Sequence, residues 1–180
     1  MMKQNPYMVA HLIEGEARIF IDRLQREVAG RFGTRNLFDR IMPHITVKAP
    51  FCPVDIHDVD ITLRRLAVEL QRVPYSIGGV DRFRRSVVFV DVLHDDTLKQ
   101  YIDRVVDELV LLDGVDRGEF EHEKRLHVTI TSKKLEHVFD DLWEYMTSKH
   151  IPEFELCFDH IALLRHSGSR WEVMQKYPLK

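Results

Sequence analysis

Two strand-like runs, "PHITVKAP" at 43–50 and "LHVTIT" at 126–131, each carry a His-x-Thr triplet with a β-branched residue at its centre. The triplets fall at matching places in a repeated order of elements. "YMVAHLI" (7–13) reads as a strand, and 16–32 as a helix with Ala17, Phe20, Leu24, Val28 and Phe32 on one stripe and Gly33 as its stop. The first His-x-Thr strand follows, then a helix over 57–71 and a strand around "PYSIGGV". The order restarts at "SVVFVDVL" (86–93), continues with a helix from "DDTLKQ", the second His-x-Thr strand and a helix over 134–148, and ends on a hairpin turning at "RHSGSR". Repetition of this kind predicts one domain of two similar lobes, about 1–85 and 86–180, with His44 and His127 at equivalent positions.

With 10 His and 7 Thr in 180 residues, roughly 0.4 His-x-Thr triplets arise by chance, so one alone means little. Two, on strands, at matching places in a repeat, point to one site. Side chains alternate along a strand. His44, Thr46 and Lys48 then share one face of the first strand, and Arg125, His127, Thr129 and Thr131 share one face of the second. The opposite faces are apolar and belong to a core.

Two imidazoles and two hydroxyls suit attack on a phosphodiester. One histidine takes a proton from the attacking oxygen and the other gives one to the leaving oxygen, both near an ordinary pKa of about 6.5. A threonine hydroxyl can donate to a non-bridging phosphate oxygen. Substrate contacts are expected from Lys48 and Arg125 beside the histidines, with Arg165 a further cation. Phe51, Phe83 and Tyr177 are candidates for stacking on a base.

At these motifs the sequence resembles the two-histidine (2H) phosphoesterase superfamily, which contains 2′-5′ RNA ligases and RNA 2′,3′-cyclic phosphodiesterases. "PHITVKAPF" matches well, "YSIGGVDRFRRSVVFVDV" looks like the family's linking segment, and "DHIALLRHSGSRWEVMQKYPL" like its closing hairpin. At the second motif Leu126 stands where proline is frequent, and the glycine common after the first motif in the RNA ligase branch is missing. The resemblance implies an α+β fold of two pseudo-symmetric lobes, each a small, mainly antiparallel sheet with outer helices, and a central cleft. It implies His44 and His127 as the acid/base pair, Thr46 and Thr129 as phosphate ligands, and no cofactor. The partner is then a nucleotide 2′,3′-cyclic phosphate or a short RNA end, with 2′-5′ oligonucleotides as an alternative substrate. A non-catalytic nucleotide or RNA-end binder is the rival from another class, disfavoured because both triplets are intact.

Other classes are set aside on composition. The net charge of −3, at 31% charged residues, argues against a broad duplex DNA footprint, although "DRFRR" leaves room for a small anion. No apolar run approaches the roughly 20 residues of a membrane span, and nothing near the start reads as a signal peptide. With only Cys52 and Cys157 there is neither a disulfide framework nor a zinc set, so a cytoplasmic monomer is expected. "DIHDVD" (55–60) reads as an acidic helix start rather than a metal site, and His122 with His127 does not form a ligand pair on one helix face. His160 is expected to be a hydrogen-bonded strand residue, and His11 either lines the cleft or is half-buried. Phosphate-binding glycine loops are absent.

Overall fold

The computed structural model describes residues 5–121 and 124–180, so His122 lies outside the described residues. The strands are β1 (Tyr7–Leu12), β2 (His44–Phe51), β3 (Val73–Phe83), β4 (Val87–Leu93), β5 (His127–Ser132), β6 (Phe154–Phe158), β7 (His160–His166) and β8 (Trp171–Pro178). The helices are α1 (Gly15–Phe32), α2 (Ile56–Glu69), α3 (Asp96–Leu109) and α4 (Phe139–Ser148). The fold is α+β, as the resemblance implied.

The helix ends follow from local chemistry. The Asp55 carboxylate accepts from the His57 amide at 2.8 Å, so "DIHDVD" is indeed a helix start. Asp95 caps α3 in the same way, and Gly33 ends α1 at φ 63°, a left-handed conformation that glycine adopts without a Cβ clash. α4 begins at Phe139, later than the periodicity predicts, because Leu135–Val138 form turns that bury Leu135 without helical pairing.

The strands form one antiparallel sheet in the order β6-β3-β4-β5-β2-β1-β7-β8. A boundary near residue 85 separates the two His-x-Thr strands but does not divide the sheet. β3 crosses to pair with β4, and β7 and β8 return to flank β1. Each half-sheet therefore borrows strands from the other half of the chain. The helices cross as well, with α1 packing over β5 and α3 over β2.

Among the described residues the ladder joins the two half-sheets at the pair Ile45–Val128. On the helix-covered face Ile45, Val47, Val88, Val90, Val128 and Ile130 join the main core. On the other face of β1 and β7 a smaller cluster gathers Met8, Ala10, Leu12, Ala162 and Leu164, with Ile41, Met42 and Trp171 against it. The sheet is strongly curled. His11 on β1 and Tyr75 on β3 lie four strand spacings apart, roughly 19 Å in a flat sheet, yet their side chains bond at 2.9 Å.

Candidate active site at the seam of the half-sheets

The Ile45–Val128 pair fixes the site's geometry. One step along the antiparallel register on either side, His44 faces Thr129 across the seam and Thr46 faces His127. Directly opposed residues hold their Cβ atoms about 5 Å apart, so the four side chains are gathered around the seam. The outer neighbours repeat the symmetry: β1 sets Leu12 beside His44 and Ala10 beside Thr46, and β4 sets Asp91 beside His127 and Phe89 beside Thr129.

Both imidazoles are oriented by the same device. The Nδ1 of His44 lies 2.8 Å from the Met42 carbonyl, and that of His127 lies 2.8 Å from the Arg125 carbonyl. A carbonyl can only accept, so each Nδ1 carries the proton and each Nε2 holds the working lone pair. Among the described residues neither Nε2 and neither of the Thr46 and Thr129 hydroxyls makes a hydrogen bond. Two acid/base atoms and two hydroxyls are thus left for a ligand.

The two sides differ in what surrounds them. Burial pushes the His44 pKa down to about 4, and the charges of His127 and Lys124 add to this. His127 is also lowered, first by burial and then by Lys124 and Arg125, while Asp91 opposes the shift. Its ring lies edge-on to Phe83 at 4.9 Å and tilted against Phe89 at 5.0 Å. Phe83 is the predicted aromatic that the fold does bring to the site.

Lys124 is a site neighbour that the motif-based reading missed. Burial lowers its pKa to about 8. Its Nζ donates to the Val47 carbonyl at 2.6 Å, bridging the seam just where β2 and β5 separate. Its position three residues before His127 was the available signal, since Ile41 holds the same place before His44.

Four predicted contacts, Lys48, Phe51, Tyr177 and Arg165, are corrected. Lys48 is 1% exposed and turned to the core, where it pairs with Glu121 at 2.9 Å and donates to the Asp116 carbonyl. The cause is a β-bulge: β1 pairs Ala10 with Thr46 but Val9 with Lys48, so Val47 is an extra residue and alternation flips beyond it. Strand β5 does the same at Ile130, between the pairs Phe89–Thr129 and Val88–Thr131, and Thr131 is fully buried rather than beside His127. The bulges sit three residues after each histidine, a symmetry invisible in residue identities.

Phe51 lies in the main core beyond the first bulge, against the Lys48 ammonium. Tyr177 is buried on β8 and donates its hydroxyl to Asp60 on α2 at 2.7 Å, so it has no base to stack on. Arg125 does stay beside His127, but its guanidinium is held by Asp91 and Asp81 over the Phe89 ring. Arg165 lies on β7 opposite Tyr7, away from the seam. His11 and His160 are buried behind the site, in hydrogen bonds of their own. No helix among the described residues is long and apolar enough to cross a membrane.

Comparison with known proteins gives the family and a shared fold. Residues 13–170 match the family model of the 2′-5′ RNA ligase superfamily. A Staphylococcus aureus (strain JH1) protein bearing a provisional phosphoesterase name is 25% identical over 150 residues, 79% of this chain and 83% of that protein. Among solved structures, TT0787 of Thermus thermophilus superposes with a TM-score of 0.67 at 17% identity, covering 97% of each chain. Escherichia coli LigT complexed with 3′-AMP gives a TM-score of 0.67 at 13% identity, covering 99% of each. With the family model spanning most of its length, the chain belongs to the 2′-5′ RNA ligase superfamily of two-histidine phosphoesterases.

Proposed function

We propose that this protein is a metal-independent phosphodiesterase that opens 2′,3′-cyclic phosphates of nucleotides or RNA ends, and that a 5′-hydroxyl in place of water as the nucleophile gives 2′-5′ ligation, itself reversible. The observation that carries this reading is the matched pair of imidazoles, each with Nδ1–H fixed on a backbone carbonyl and Nε2 left to a ligand. In hydrolysis one Nε2 takes a proton from water as its oxygen bonds to phosphorus. The bond from phosphorus to the ribose oxygen breaks, and the other histidine's Nε2–H protonates that oxygen. Thr46 and Thr129 donate to the non-bridging oxygens, where they stabilise the developing charge. Phe83, against His127, is placed to meet the base. That LigT crystallised with 3′-AMP supports a nucleotide as ligand.

The test is a panel of 2′,3′-cyclic nucleotides, 2′-5′ dinucleotides and 3′-5′ dinucleotides, assayed with excess EDTA. Turnover of a 2′,3′-cyclic nucleotide is expected. Turnover confined to 2′-5′ dinucleotides would reassign the substrate, and activity abolished by EDTA while the fold persists would overturn the mechanism.

A further inference from the structure

The bond that holds each working imidazole is only as firm as the carbonyl that accepts it. For His44 that carbonyl belongs to Met42, which packs against the small apolar cluster, and the next residue, Pro43, accepts from the Ile13 amide at 2.9 Å. For His127 it belongs to Arg125, which lies ahead of β5 and outside its ladder. No apolar side chain anchors that residue at its own position, so its carbonyl needs another hold.

The hold comes from the guanidinium. Nε and Nη2 donate to the two oxygens of Asp91 at 3.3 and 2.6 Å, and Nη1 lies 2.7 Å from Asp81. All three guanidinium nitrogens are engaged, 5.1 Å from the centre of the Phe89 ring, and Phe89 in turn packs on the His127 ring. The carboxylates are themselves fixed: Asp91 accepts from the Val92 amide and Asp81 from the Arg82 amide. Isolated surface ion pairs contribute little, but a bidentate pair inside a network keeps its geometry.

A bulge puts Asp81 within reach. β3 pairs Gly78 with Asp91 and Asp81 with Phe89, so it uses three residues where β4 uses two. Gly79 takes φ 66° there, a conformation that glycine adopts without a Cβ clash. Without the extra residue Asp81 would stand opposite Val88, which is fully buried. With it, Asp81 stands opposite Phe89, on the face of Asp91 and His127.

We propose that Asp81 and Asp91 clamp Arg125 so that its carbonyl keeps the His127 proton on Nδ1, which makes Arg125 a positioning residue and not a phosphate ligand. The proposal rests on His127 working through Nε2. A neutral imidazole carries its proton on either nitrogen, and a fixed acceptor at Nδ1 selects one tautomer. With the carbonyl free to turn, part of the population carries the proton on Nε2, where no lone pair is then left to take another.

The test is nitrogen-15 NMR of histidine-labelled protein at a pH where both rings are neutral, the signals being assigned with His44→Gln and His127→Gln. In the wild type both rings are expected as the Nδ1–H tautomer. Arg125→Met should turn His127 into a mixture of tautomers and Asp81→Asn should do so to a smaller extent, while His44 stays unchanged as the internal control. Both substituted side chains reach the surface, so far-ultraviolet circular dichroism should not change; should Arg125→Met fail to fold, Asp81→Asn decides. On a 2′,3′-cyclic nucleotide, Arg125→Met should lower kcat about tenfold or more, part of what a placed acid or base supplies, with KM near the wild-type value. A His127 tautomer that neither substitution moves overturns the clamp, and a raised KM with that tautomer intact would make Arg125 a phosphate ligand. The tautomer is read without substrate, so a shifted tautomer with no turnover on any substrate would sink the phosphodiesterase reading and leave the clamp standing.

Discussion

His44 and His127 are held by one and the same bond, Nδ1–H to the carbonyl two residues upstream, at 2.8 Å in both half-sheets. Their surroundings are not the same, and the asymmetry governs pH behaviour. Turnover needs one ring neutral and the other protonated, and both pKa values lie below 6.5, that of His44 at about 4. The profile of kcat/KM reports the free protein. It is expected to be bell-shaped with both limbs below pH ~6.5, already falling between about pH 6.5 and 8. A plateau reaching above about pH 7 would show that the imidazoles are not desolvated as described.

Lys124 presses on both imidazoles. Its ammonium lowers each histidine's affinity for a proton, so removing it should let both pKa values rise. Lys124→Met is expected to move the whole kcat/KM profile toward alkaline pH, while Lys124→Arg should keep it near the wild-type position. A profile unmoved by Lys124→Met would place that charge too far from the rings to matter.

The Lys48–Glu121 pair ties the segment before β5 to the strand carrying His44. Glu121 accepts from the Ala49 and Gly118 amides as well as from Lys48. Removing one member of a buried pair strands the other, at a cost of about 3–5 kcal/mol. Lys48→Met should therefore unfold at markedly lower urea, with the m-value unchanged. If Lys48 contacted substrate instead, stability would hold and KM would rise.

Thr131, turned inward by the second bulge, buries a hydroxyl with no hydrogen-bond partner among the described residues. Replacing it with valine removes that penalty at similar volume, so Thr131→Val should gain about 1 kcal/mol in urea denaturation and leave kcat unchanged. A loss of activity would return Thr131 to the face of His127.

These residues also mark where sequence reasoning stops. The strand and helix order, the Gly33 stop, the Asp55 cap and the His-x-Thr strands follow from periodicity and local chemistry, and the structure bears them out. Strand alternation puts Lys48 and Thr131 on the wrong face, because a bulge adds one residue and nothing at Val47 or Ile130 announces it. Phe51 stands on the core face by plain alternation from Ile45 and Val47, and a second register shift, between Tyr7 and Val9, restores that parity after the bulge. Tyr177 escapes a local reading because its value to the fold lies in Asp60, 117 positions away. The exchange of β3, β7 and β8 between half-sheets is likewise a matter of long-range pairing, which element order does not specify.

The central claim is that His44 and His127 act together on one phosphate. The direct measurement is single-turnover hydrolysis of a 2′,3′-cyclic nucleotide, with EDTA present, by the wild type, His44→Ala, His127→Ala and the double variant. Each single variant is predicted to lose about 10²–10⁴-fold, and the double variant to lose little more than the worse single, because the two work as a unit. A single variant that keeps wild-type turnover, or losses that simply multiply in the double, would contradict the shared-phosphate mechanism.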